Sequence, residues 1–164
     1  MPKTFAPVDD ALIERVFQPA VDMIVQRIRL SRTAAACCCV NVASLAWIIS
    51  CAPGLAGAVA AEDASGSAAD LALLLLGLGA MASLRTLFRR TGFNHANRLR
   101  QTMRLHRAVV LLMLVSRMVQ LHGLGLPGAA ELVMLLGATA ALYLGACTEP
   151  PPVRRAWPSL VPTG

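Results

Sequence analysis

Charge and aromatic rings are both scarce in this chain of 164 residues: 15% of it is Asp, Glu, Lys or Arg, and 4% is Phe, Trp or Tyr. Soluble domains carry about 25% charged residues, so a surface facing water on all sides is excluded. A disordered chain held open by charge is excluded too. No nucleophile elbow, phosphate-cradling glycine loop, dinucleotide fingerprint or zinc motif occurs, so no enzymatic activity is expected. The five cysteines contain no Cys-x-x-Cys pair for thiol–disulfide exchange. Cys37, Cys38 and Cys39 are adjacent, and successive helical residues lie about 100° apart, so their thiols cannot converge on one metal. Histidine is sparse as well. His106 and His122 fall on one expected helix, about 24 Å apart and on different faces, so they cannot ligate one haem iron. No cofactor and no metal is expected.

What the chain has is apolar bulk, 56% of its residues, with a mean hydropathy of +0.60. That bulk is mainly Ala, Leu, Val and Gly, the composition of lipid-facing and closely packed membrane helices. A membrane span needs about 20 apolar residues to cross roughly 30 Å of hydrocarbon at about 1.5 Å per residue. Four segments meet that description: about 34–52, 68–88, 106–126 and 129–147. No formal charge occurs between Arg32 and Glu62, and Pro53-Gly54 is expected to end the first helix. The second span is the weakest, with Asp70 and Arg85 near its two interfaces. Ala64-Ser65-Gly66-Ser67 reads as a turn before it. Ile48-Ile49-Ser50-Cys51 and Ala58-Val59-Ala60 have the form of cleavage sites, but some 33 residues precede the first apolar run and cleavage is not expected.

The fold class expected is therefore all-α: a four-span transmembrane bundle (34–147) preceded by a cytoplasmic amphipathic helix (within 1–33). A disordered, proline-rich cytoplasmic tail (148–164) follows. Orientation comes from the arginines. Lys3, Arg15, Arg27, Arg29 and Arg32 precede the first span, Arg85, Arg89, Arg90, Arg98, Arg100, Arg104 and Arg107 surround the loop between the second and third, and Arg154 and Arg155 lie in the tail. That is 14 of the 15 basic residues, and the positive-inside rule puts all of these segments in the cytoplasm. Both termini then share a side, as an even number of spans demands. Arginine outnumbers lysine 14 to 1 in an alanine-rich chain, which suggests a GC-rich bacterial genome and the plasma (inner) membrane. The pI of about 9.7 is explained by anionic headgroups, with Arg89, Arg90, Arg98, Arg100 and Arg104 as the contacts, and no nucleic acid is implied.

Within the N-terminal segment, Ile13, Val16, Phe17, Ala20, Ile24 and Ile28 recur at steps of three and four, an apolar stripe interrupted by Pro19. It is expected to lie in the cytoplasmic interface, the alternative being to pack on a partner. From about Asn94 a helical stem is expected to run directly into the third span.

Arg117 is the residue on which function hinges. It lies nine residues from the outer end of the third expected span, about 13 Å deep at 1.5 Å per residue. Centring an arginine there costs at least about 2.5–3.5 kcal/mol. With Gln120 and His106 it forms a polar stripe, and Glu131 or Asp70 could supply its counter-charge. Gly137, Ala141 and Gly145, at intervals of four, offer a face for close helix packing. These features suggest an accessory or assembly subunit of a larger membrane complex, with Arg117 pairing to an integral membrane partner or to another copy. The alternative is a self-assembling small transporter or channel with Arg117, Gln120 and His106 along its path. A pore-forming effector would rest on size and span number alone.

Overall fold

In a computed structural model, residues 5–61, 64–90, 99–120 and 125–148 are described, and their regular structure is helical throughout. The N-terminal helix consists of α1 (Phe5–Leu12), a π-helical turn (Ile13–Phe17), α2 (Gln18–Met23) and a second π-helical turn (Ile24–Ile28). Long helices follow, α3 (Arg32–Ala60) and α4 (Ala64–Arg90), then a short α5 (Leu99–Thr102), α6 (Arg104–Val119) and α7 (Leu126–Ala146). The tail beyond Thr148 lies outside the described residues, as do Glu62, Asp63, Arg98 and His122.

Three helices, α3, α4 and α7, are long and apolar enough to cross a membrane. The third expected span is not among them. α6 has 16 residues and reaches about 24 Å at 1.5 Å per residue. Its start is fixed by arginines drawn into ion pairs. Its end is closed by a tight turn in which the Gln120 N–H donates to the Arg117 carbonyl at 3.1 Å. Nor does the stem run unbroken into it, because Met103 interrupts the helix between α5 and α6.

Two other boundaries also differ from expectation. α3 continues through Pro53 to Ala60, because proline removes a single helical hydrogen bond and packed membrane helices tolerate that loss. Residues 64–67 form the first turn of α4 rather than a loop.

α3 is the spine of the bundle. α7 packs antiparallel along its first half, with Gly137 so close that a Cβ there would lie 3.1 Å from the Cys39 carbonyl and 3.2 Å from Ala43 Cβ. α4 packs beside α3, where Trp47 Nε1 donates to the Leu74 carbonyl at 3.3 Å. Gly77 lies directly under that indole, and a side chain there would overlap it. Gly145 likewise receives the ring of Phe88, the buried residue near the end of α4. α4 and α7 thus finish at the same end of the bundle. α7 begins at the other end, where Pro127 and Gly128 line a cavity with Gly54 and Asp70. α6 carries the chain between those ends.

The N-terminal helix closes the end at which α7 finishes. Ile13 and Val21 are buried with Ala36, Val40, Tyr143 and Cys147, each contributing about 1.5–3 kcal/mol if fully removed from water. Val16 and Ile28, counted in the expected stripe, are instead exposed. Pro19 explains the shift. Its ring displaces the carbonyl four residues back, and the wide π turn just before it takes up the strain. That turn lets Asp9, Ile13, Phe17 and Val21, at steps of four, stay in one line instead of drifting around the helix. The chain then reverses at Arg29, which adopts a left-handed conformation (φ 56°, ψ 25°). The Ser31 hydroxyl caps α3 by accepting from the Ala34 N–H at 3.2 Å.

Candidate functional site

Three features stand out on this scaffold: an ion-pair network under the N-terminal helix, a second pair at the opposite end, and a largely apolar groove between α4 and α6.

The network begins with α1 and α6. Asp9 and Arg107 are both buried, and the Arg107 guanidinium grips the carboxylate with two nitrogens, Nε to Oδ1 at 2.9 Å and Nη2 to Oδ2 at 2.5 Å. This fork geometry matches the planes of the two groups. Arg107 Nη2 also donates to the Arg100 carbonyl at 2.6 Å, and the guanidinium carbon lies 5.6 Å from the centre of the Tyr143 ring. The Phe17 ring stacks on Tyr143, with centroids 4.6 Å apart and planes 14° from parallel. Around this core Arg104 bridges Asp9 (3.4 Å) and Asp10 (3.2 Å), and Arg100 bridges Asp10 (3.1 Å) and Glu14 (2.7 Å). Hydrogen bonding to Glu14, against partial desolvation and with help from Asp10, raises the pKa of Arg100 above its ordinary value. Arg100 and Arg104, expected to meet lipid headgroups, are therefore committed to carboxylates of their own chain. Arg89 and Arg90 remain exposed on α4. Arg98 lies outside the described residues.

Two further contacts fasten the same end. Arg32, almost fully buried, donates through Nη1 to the Cys147 carbonyl, which terminates α7. Gln18 exchanges hydrogen bonds with the Thr148 backbone, donating to its carbonyl at 2.9 Å and accepting from its N–H at 3.1 Å.

At the other end, Arg117 pairs with Glu131 at 2.7 Å, and its Nη1 donates to Gln120 Oε1 at 3.3 Å. The pair is half in solvent, with side-chain exposures of 46% and 30%. Because α6 ends at Val119, Arg117 lies in its last turn. Asp70 lines a cavity of about 340 Å³ with Glu131, Trp47 and Ser50, and its Oδ2 lies 3.0 Å from where a Cβ on Gly54 would sit.

His106 is not part of that cluster. Eleven residues before Arg117, it lies about 16 Å away along the helix at 1.5 Å per residue and lines a separate groove with Arg90. The expected stripe is therefore divided: Arg117 and Gln120 meet Glu131, while His106 faces α4. Gly137, Ala141 and Gly145 sit on the face of α7 turned toward α3 and Phe88.

Asp9 and Tyr143 are not singled out in the sequence, and Phe17 and Arg107 enter it only as members of the apolar stripe and of the arginine-rich segments. A signal did exist. Arg100, Arg104 and Arg107 recur at steps of four and three, and Asp10 and Glu14 at a step of four with Asp9 beside them, two stripes of opposite charge on different helices. Among the described residues, no group of three or more His, Cys, Asp or Glu is placed to hold a metal ion. Comparison of the chain with family models, curated proteins and solved structures found no match.

Proposed function

We propose that this chain is a small integral protein of the plasma membrane, with both termini cytoplasmic, that serves as an accessory or assembly subunit of a larger membrane complex. α3, α4 and α7 cross the bilayer, and α6 makes a shorter fourth passage beside α7. An even number of passages agrees with the arginine distribution.

The observation that carries the assembly reading is the outer face of α4. This helix is long enough to span, yet Phe88 is its one buried residue among those described. Leu71, Leu73, Leu75 and Leu76 are exposed. On the same helix nothing lies within 4 Å of a Cβ built on Gly79. The Ser83 hydroxyl is turned back onto the Gly79 carbonyl at 2.8 Å, which leaves a smooth, small surface where a second helix can approach closely. Arg117 is a weaker candidate for joining subunits, because Glu131 of the same chain already neutralises it.

The experiment is purification from the native host in mild detergent, with identification of every protein retained. Gly79→Leu should strip the retained partners while leaving the chain in the membrane. Undiminished partners in that variant would refute the role of α4. The transporter reading requires solute flux in liposomes that Arg117→Ala abolishes. The division of the expected stripe between two ends of α6 weighs against it.

A further inference from the structure

α4 and α6 both lean on the bundle but leave a groove between them of about 570 Å³. Ala138 and Leu142 of α7, both buried, form its floor. Met81, Leu84 and Leu87 of α4 and Met103 and Val110 at the α6 side form its walls. Its two hydroxyl residues are internally satisfied: Ser83 donates to the Gly79 carbonyl and Thr86 to the Ser83 carbonyl, each at 2.8 Å. The groove is thus apolar along its length.

Its one polar end is basic. Arg90 is the last residue of α4 and His106 lies in the first turn of α6, and both line the groove and are exposed. Among the described residues, no acidic side chain lines it. From Ala80 to Arg90 the helix rises about 15 Å, which is half of the roughly 30 Å hydrocarbon thickness. The groove therefore has the depth of one leaflet, with its cationic end where headgroups lie. An apolar trough of this depth with a guanidinium at its end suits an acyl chain whose headgroup is anionic.

We propose that this groove binds an anionic phospholipid, one acyl chain lying between α4 and α6 and the phosphate held by Arg90 and an N–H of His106. Arg90 supplies the charge and His106 a ring N–H donor at the same end of the groove. The site rests on the chain being embedded in a bilayer, and Ser83 borders both this groove and the Gly79 surface given above to a partner helix.

The test uses the full chain, purified in detergent, delipidated and equilibrated with mixed micelles of equal phosphatidylglycerol and phosphatidylcholine, with bound lipid counted by native mass spectrometry. The wild-type chain should retain phosphatidylglycerol over phosphatidylcholine by about fivefold, as one guanidinium near a surface would give. Arg90→Gln with His106→Gln should bring that ratio close to one with an unchanged melting temperature, and Arg90→Lys should keep most of it. Ala80→Phe, which fills the groove, should reduce retention of both lipids. The proposal is overturned if the wild type shows no preference, if the double variant keeps it, or if millimolar inorganic phosphate displaces the lipid. A second copy of the chain displacing the lipid, seen as a dimer mass, overturns it equally. Release of the chain from native membranes by alkaline carbonate would sink the membrane assignment itself. Retention in membranes without lipid preference sinks this site alone.

Discussion

Asp9 and Arg107 form a two-nitrogen ion pair with both side chains shielded completely from solvent. Removing one member of such a pair strands the other charge, which typically costs about 3–5 kcal/mol, whereas replacing both with apolar groups can be nearly neutral. Asp9→Asn and Arg107→Met should therefore each lower unfolding free energy in mixed micelles by about 3–5 kcal/mol. The double change Asp9→Leu with Arg107→Met should cost less than either single one. Asp10→Asn, at a carboxylate 36% exposed, should cost less than about 1 kcal/mol. Equal losses at Asp9 and Asp10 would contradict the burial that sets them apart.

The glycines on the packing faces should separate by what they touch. Gly77→Ala must push the Trp47 indole off α4, and Gly145→Ala must displace the Phe88 ring. Each should destabilise by about 1–3 kcal/mol, the usual cost of overpacking. Gly79→Ala meets open space and should leave thermal stability unchanged or slightly raised, since alanine favours the helix by about 1 kcal/mol. Thermal melts followed by circular dichroism would rank the three.

Arg117 and Glu131 make the opposite case. Their pair is substantially exposed, so Glu131→Gln should cost no more than about 1 kcal/mol. An arginine stranded at mid-membrane would lose far more on removal of its carboxylate. Unfolding of Glu131→Gln in mixed micelles measures the difference directly.

Sidedness can be read with single cysteines in a cysteine-free background. Gln18 and Thr148 touch one another, so Gln18→Cys and Thr148→Cys should react with an impermeant maleimide from the cytoplasmic face of inverted vesicles. Ala61→Cys, at the far end of α3, should react from the other face only. Labelling of Thr148→Cys and Ala61→Cys from one side would contradict a passage by α6.

Much of the helical plan was legible in hydropathy alone. The charge-free run after Arg32 and the apolar segments around Leu74 and Leu135 correspond to α3, α4 and α7. Length at 106–126 misled, because hydropathy weighs residues one at a time. Arg104 and Arg107 belong to ion pairs with α1 that no local window contains. The candidate site was less legible for the same reason. Glu131 was recognised as a counter-charge for Arg117 because the two are near in sequence and in expected depth. Asp9 and Arg107 lie 98 residues apart, and only tertiary packing joins them. Pro19 interrupts the expected stripe, yet a wide turn absorbs it, an adjustment that residue spacing does not encode.

The distance in sequence between Asp9 and Arg107 has a consequence for how the chain matures. The amino-terminal segment leaves the ribosome first, but its cation partner is translated only after α3 and α4 are complete. Until then Asp9 lacks its cation and Phe17 the ring it stacks on, and the segment's apolar line is only partly covered by α3. Closure is consequently a late event, possible only once α6 and α7 stand side by side to present Arg107 and Tyr143 together. A chain in which α6 fails to reach its place leaves the Asp9 carboxylate without its partner and the Phe17 ring unstacked.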